Sequence, residues 1–224
     1  MDDPFLMRRD EAAELFLIRH ADAIPEADEI IPSGVYDDLP LSRVGREQAR
    51  ALAERLKSLS FNAAYSSPLR RCQETAAPLL EHLRLQLVIV PDIKEVRLGN
   101  PFPLPADVSN LEDLTRALQA RQIEIVRLAG GSGHWDAIPN SEPSREFRQR
   151  IVEAIDGIAR QHQGERVLIF AHGGVINAYL AEVLGLEKDF FFPAANTSIS
   201  VVRASNQRRV VYVVNDLAHL PRRA

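Results

Sequence analysis

A single cysteine, Cys72, in 224 residues excludes an internal disulfide framework and fits a reducing compartment. Long apolar runs are missing as well: none reaches the roughly 18 residues that a membrane span requires. The N-terminal stretch "MDDPFLMRRDEAAE" places charges where a secretory signal would need its apolar region. There is no excess of one charge either. With 27 basic and 31 acidic side chains, the net charge of −4 provides no field for nucleic acid or an anionic membrane, so any anion binding must be local. Internal repeats and low-complexity segments are absent. These absences point to a cytoplasmic globule with no nucleic-acid and no membrane partner. At 46% apolar and 26% charged residues, the chain can bury a sizeable core as one domain over 1–224.

What is present alternates. Apolar runs follow helical patterns along the chain, the signature of an α/β fold: a three-layer α/β/α sandwich with a mostly parallel central sheet. A strand at about 14–19 leads into a polar loop, and "LSRVGREQARALAERLKSL" reads as a helix capped by Ser42. The strand "AAYS" precedes a helix for which Ser67 and Pro68 suit the cap and the first position. "LQLVIV" is the next strand, and the Pro and Gly content of "PDIKEVRLGNPFPLP" argues against regular structure. Residues 101–143 read as an insertion over one end of the sheet, with a helix near 109–128 and the loop "AGGSGHWDAIPNSEPS". A helix at 144–161, the strand "RVLIFA" and the helix "GGVINAYLAEVLG" follow. Strands near 197–203 and 209–214 form a hairpin at the sheet edge, on which two chains could pair as a homodimer.

Ligands of open parallel sheets bind beyond the carboxyl ends of the strands. Arg19 and His20 close the first strand in "ELFLIRHADA", "SSPLRR" leaves the second, and His172 with Gly173 closes "RVLIFAHGG". Glu95 lies just after "LQLVIV". Arginine forks and helix N-terminal amides suit a phosphoryl group. A neutral histidine between cations is a competent nucleophile toward phosphorus near pH 7. A desolvated glutamate can protonate the leaving oxygen; Glu95 is the natural candidate, with Glu26 and Glu142 as alternatives. A metal held by His20, His172 and Glu95 is disfavoured by the neighbouring arginines, which would repel a cation. No cofactor is implied.

At this point the motifs resemble the histidine phosphatase superfamily, also called phosphoglycerate mutase-like, over nearly the whole chain. "LIRHADA" is similar to the family's Arg-His-Gly signature with Ala21 in the Gly place, and "LSRVGREQA" to its Leu-Thr-x-x-Gly-x-x-Gln-Ala element. "SSPLRRCQETA" matches Ser-x-x-x-Arg-x-x-x-Thr-Ala in the register that selects Arg71 over Arg70. "IKEVRLGN" pairs Glu95 with Gly99, "FAHGGVI" carries the second histidine, and "SEPSREFRQRI" resembles a weaker Glu-Ser-x-x-x-Phe-x-x-Arg element with Pro143 for serine. The closing edge strand is matched by "NTSIS". The resemblance implies that His20 forms a phosphohistidine, that Arg19, Arg71, His172 and Gly173 bind phosphoryl oxygens, and that Glu95 is acid and base.

Mutases of the family usually carry Ser or Thr three residues after the nucleophile and Asn six after it. Here those places hold Ala23 and Glu26. With Asp22, Asp28, Glu29, Asp37 and Asp38 in the same loop, a second phosphate is disfavoured. The expectation is a metal-independent phosphatase acting on small phosphorylated metabolites. The alternatives are a phosphoglycerate mutase-like isomerase, a protein phosphohistidine phosphatase and a non-catalytic phospho-ligand module. Glu26, Glu142 and Trp135 are candidate substrate-loop residues, with packing favoured over stacking for Trp135. Cys72 reads as a small buried side chain, and His82, His134, His162 and His219 as structural or exposed.

Overall fold

Residues 11–26, 38–99 and 111–221 are described by the computed structural model, without the side chain of Leu111. The expectations for Asp28, Glu29 and Asp37, and for 101–110 of the insertion, lie outside the described residues. Strand β1 (Ala13–Arg19) pairs in parallel with β4 (Arg166–Ala171) and antiparallel with β5 (Ile199–Ala204). Strand β2 (Ala63–Ser66) lies parallel to β4 and to the short β3 (Leu87–Ile89), and β6 (Arg209–Asp216) runs antiparallel to β5. The order is β3-β2-β4-β1-β5-β6. The sheet is therefore parallel in its first four strands, with an antiparallel pair at one edge.

The two-residue side-chain period of the central strands divides the core between the two faces. Leu15, Leu17, Val167 and Ile169 share one cluster with Phe147, Ile151 and Ile155 of α4 (Ser144–Gln161) and with Ile176 and Tyr179 of α5 (Gly173–Leu184). Phe16, Ile18, Leu168 and Phe170 pack instead with Leu52 and Leu56 of α1 (Arg43–Leu56) and with Cys72 and Leu79 of α2 (Arg70–Leu83). Being covered on both faces, β1 and β4 read as continuous apolar runs. Of the two charged residues in β1, Glu14 is buried and ties three strands together. It accepts from Arg166 of β4 at 2.6 Å and from Arg203 of β5 at 2.9 Å. Among the described residues, no helix is long and apolar enough to cross a membrane.

Several boundaries differ from the sequence expectation. Ser42 caps α1 as expected, accepting from Gly45 N at 3.0 Å. Helix α2, however, begins at Arg70 with Leu69 at its cap position, so Ser67 and Pro68 are not its start. Strand β3 keeps only three residues of "LQLVIV": at the sheet edge one side of it has no partner among the described residues, and Val88 and Ile89 are exposed. Pro91–Ile93 forms a 3-10 turn where no regular structure was expected. Helix α3 (Leu111–Ser132) continues through Gly130 and Gly131, and the chain leaves it at Gly133. There φ is 84°, and a Cβ would stand 2.7 Å from the Lys188 side chain. Strand β5 starts at Ile199, two residues late, since Thr197 adopts a left-handed conformation with φ 56°.

Candidate active site

The carboxyl ends of β1, β2 and β4 bring together residues from four separate segments. His20 leaves β1 with its backbone N donating to Ala171 O at 2.9 Å, so the two histidine-bearing strand ends are held in register. Their imidazole centroids are 5.2 Å apart. The next residue is fixed by α2: Ala21 N donates to Thr75 Oγ1 at 2.9 Å, and that hydroxyl donates to Arg71 O at 2.6 Å. One threonine thereby connects the backbone after His20 to the turn that carries Arg71. Gly45 serves the same loop from the α1 side, where any Cβ would collide with the Asp22 backbone.

Histidine tautomers follow from these contacts. His20 Nδ1 lies 2.7 Å from Ala21 O; a carbonyl can only accept, so Nδ1 carries the proton and Nε2 keeps its lone pair. Burial, then the charges of Arg71 and Arg19, hold the His20 imidazole well below its ordinary pKa, although the Ala21 carbonyl opposes them. It is neutral at pH 7. His172, fully buried at the cap position of α5, takes the opposite tautomer. Arg71 Nη2 approaches its Nδ1 at 3.4 Å and can only donate, which leaves Nε2 to donate to Ser67 Oγ at 2.8 Å. Burial, followed by the charges of Arg71, His20 and Arg19, keeps His172 neutral too. Ser67, expected as a helix cap, is turned into this network.

The two cations are held from different sides. Arg19 Nη1 donates to Ala194 O at 2.6 Å, while its Nε is buried with no partner among the described residues. Arg70 pairs with Glu74 at 2.5 Å on the outer face of α2, and Arg71 faces the histidines, as the motif register selects. Cys72 lies beneath them, its Sγ 3.5 Å from His172 Nε2; burial pushes the thiol up to about 12, so it remains protonated and unreactive.

Glu95 is delivered by a scaffold that spans two elements. Its Oε1 accepts from Val96 N at 3.0 Å and its Oε2 from Gly174 N at 3.2 Å, which sets the carboxylate against the N-terminus of α5. Burial raises its pKa; the two amides and the charges of Arg71 and Arg19 oppose the shift without cancelling it. Arg150 of α4 secures the approach, donating to Asp92 O at 2.6 Å and Lys94 O at 2.9 Å while gripping Glu142 at 2.7 and 2.8 Å. Gly99 closes the segment, since a Cβ there would run into Asn140.

This scaffold bears on two further candidates, Glu142 and Trp135, the second of which packs as expected. Glu142 is buried and bound to Arg150; burial alone would raise its pKa, but the arginine and the Arg97 amide leave it lowered. Its ion pair with Arg150 braces the segment that carries Glu95. Trp135 is only 3% exposed and packs edge-on to Phe147 and Phe190, at 6.2 and 5.5 Å between centroids. It lies beneath α5 and offers no face for stacking. Glu26, by contrast, stands at the rim, paired with Arg43. It lines a cavity of about 400 Å³ together with Asp22, Gln48, Thr115, Gln119 and Asn196. Because Asn196 also donates to His20 O at 3.0 Å, this cavity borders the loop that follows His20.

Gly174 carries the closest packing in the site. A Cβ there would collide with Glu95 Oε1 and stand 2.8 Å from Trp135 Cζ2. Gly174→Ala should displace the Glu95 carboxylate and destabilise the fold by about 1–3 kcal/mol through overpacking. Thermal melting and kcat checked together would show a kcat loss larger than the modest drop in Tm explains.

The comparisons agree with this geometry. The family model described as the histidine phosphatase superfamily (branch 1) matches residues 15–217. The chain belongs to this superfamily. Among its relatives, the metal-independent phosphoserine phosphatase of Arabidopsis thaliana is 29% identical over 94% of this chain and 84% of its own. The uncharacterized phosphatase PhoE of Bacillus subtilis is 30% identical over 66% of each. A phosphoglycerate mutase from Bacillus anthracis superposes with a TM-score of 0.67 at 23% identity, covering 95% of this chain and 97% of that one. A phosphoserine phosphatase variant from Entamoeba histolytica, solved with phosphoserine, superposes with a TM-score of 0.67 at 20% identity over 93% and 100% of the two chains. These two structures share the superfamily fold.

Sequence reasoning missed Ser67, Thr75, Arg150, Asn196 and Thr197 as parts of the site. All five lay within quoted motifs, Ser67 and Thr75 in "SSPLRRCQETA", Arg150 in "SEPSREFRQRI", and Asn196 and Thr197 in "NTSIS", which was signal enough to ask what each holds.

Proposed function

We propose that the protein is a metal-independent phosphomonoesterase that works through a phosphohistidine on His20. The observation that carries this reading is the His20 tautomer. With Nδ1 held by Ala21 O, a bare Nε2 is left beside Arg71 and Arg19. In the first step, Nε2 attacks phosphorus, the N–P bond forms and the P–O bond to the alcohol breaks. Glu95, protonated in its desolvated position, gives its proton to the leaving oxygen. In the second step, the Glu95 carboxylate takes a proton from water, whose oxygen attacks phosphorus as the N–P bond breaks. Arg71 and the unpaired Nε of Arg19 bind the equatorial oxygens, with the free Gly173 amide at the start of α5. His172, kept neutral first by burial, accepts from Arg71 at Nδ1 and so braces that guanidinium beside the phosphoryl site.

The cavity past His20 points to a small monophosphate. Asp22 and Glu26 line it with neutral amides, and the sequence has no Lys or Arg between Arg19 and Arg43. A second phosphate would meet the Asp22 and Glu26 carboxylates, and the nearby cation Arg43 is already engaged by Glu26. Phosphoserine, the substrate in the name of the Arabidopsis relative, is the first compound to try. With EDTA present, phosphate release is expected from phosphoserine or another small monoester and from p-nitrophenyl phosphate, with no isomerisation of 3-phosphoglycerate. Isomerisation without net release would replace this reading with a mutase. Full loss of hydrolysis in EDTA would remove the metal-independent step.

A further inference from the structure

The loop entering β5 carries most of what holds Arg19 and His20 in place. Ala194 O accepts from Arg19 Nη1 at 2.6 Å, and Asn196 Nδ2 donates to His20 O at 3.0 Å. Thr197 N donates to Arg19 O at 3.1 Å, and Arg19 N donates to Ser198 O at 3.2 Å. Within this loop Thr197 is fully buried at φ 56°, a conformation that a β-branched residue keeps only when its surroundings impose it.

The surroundings that impose it come from the far end of the chain. Asn215, at the end of β6, accepts from Ala195 N at 2.8 Å through its side-chain oxygen. A turn follows, in which Ala218 N donates to Asp216 Oδ1 at 2.9 Å and Leu220 N to Leu217 O at 2.9 Å. This turn brings His219 back to the loop, where its Nε2 lies 3.0 Å from Thr197 Oγ1. Thr197 gives its own hydroxyl proton to Asn196 O at 2.8 Å, so toward His219 it can only accept. His219 is therefore the donor, through Nε2. Its Nδ1 is buried with no partner among the described residues, which makes a second proton on the ring costly. Burial lowers the pKa of the ring, nearby Asp216 raises it and Arg55 lowers it, for a net downward shift. The neutral donor form thus prevails at pH 7.

We infer that His219 is a positioning residue: by donating to Thr197 it fixes the left-handed turn whose backbone orients Arg19 and His20, without itself touching substrate. The inference rests on the reading of His20 as nucleophile.

Four variants test it, each checked by thermal melting and assayed with p-nitrophenyl phosphate. His219→Ala is expected to lower kcat about 10-fold, in line with a small misplacement of the nucleophile, while KM changes less than about twofold. His219→Gln, which can donate from a similar place, should recover kcat to within about threefold of the original protein. Thr197→Val removes the acceptor and keeps the shape, so it should reproduce the His219→Ala loss, and the double variant should lose no more than either single one. Unchanged kcat in His219→Ala, equal losses in the Ala and Gln variants, or losses that multiply in the double variant would each overturn the inference. Should His219→Ala fail to fold, the comparison of Thr197→Val with His219→Gln decides it alone. His20→Ala is run alongside: activity surviving there defeats the nucleophile reading itself. An inactive His20→Ala beside an unimpaired His219→Ala defeats only the positioning role.

Discussion

His20→Ala is expected to lower hydrolysis of p-nitrophenyl phosphate by at least about 10⁴-fold, the scale seen when a covalent nucleophile is removed. The reason is chemical as well as electrostatic. Arg19, Arg71 and the α5 amides would still bind phosphate, so the variant should keep its affinity for inorganic phosphate while losing turnover. Brief mixing with a labelled monoester followed by alkaline denaturation should leave acid-labile label on the original protein and none on the variant. Label on both, or equal rates, would show that another group attacks phosphorus. The pH dependence has a definite sign. Because burial and two guanidinium groups depress the His20 pKa, the nucleophile stays unprotonated as pH falls. The acid limb of the rate profile should therefore lie below the ordinary imidazole range.

The second large effect concerns Glu95. Its pKa is raised, so the protonated form that the first step needs persists above the ordinary carboxylate range and is lost as pH rises through the shifted value. Glu95→Gln should remove that alkaline limb. It should lower kcat on an alkyl phosphomonoester about 10²–10³-fold, the usual contribution of a general acid. With p-nitrophenyl phosphate, whose leaving group needs little protonation, the loss in the first step should be much smaller. An equal loss on both substrates across the pH range would place Glu95 among the structural groups.

Those two expectations rest on residues that sequence spacing had already marked, and it is instructive where the marking stopped. Helical geometry says only that one of the adjacent Arg70 and Arg71 faces the crevice, since they point about 100° apart; the register of the family motif, counted back from Thr75, selects Arg71. Glu142 carried no such constraint. It stood in a motif as an alternative acid; Glu95 was preferred for its place after a strand and its spacing to Gly99, but nothing local excluded Glu142. The distinction is Arg150, eight residues on, which takes both Glu142 oxygens at 2.7 and 2.8 Å, whereas among the described residues Glu95 receives backbone amides alone, in a desolvated niche. Helix α3 shows the same limit at the level of the fold: Gly130 and Gly131 read as a break, yet the helix runs on through them to Ser132.

By itself, the sequence determined the α/β layering, the strand ends that carry Arg19, His20 and His172, and the superfamily. Side-chain period and motif spacing act over a few residues, and the chain displays them directly. Only the tertiary structure decided which tautomer each histidine holds, which carboxylate has its pKa raised by burial, and that His219, some 200 residues from His20 in sequence, reaches the turn that contacts it. Those properties depend on desolvation and on partners from remote segments, and neither exists until the sheet has brought β1, β4 and β5 together.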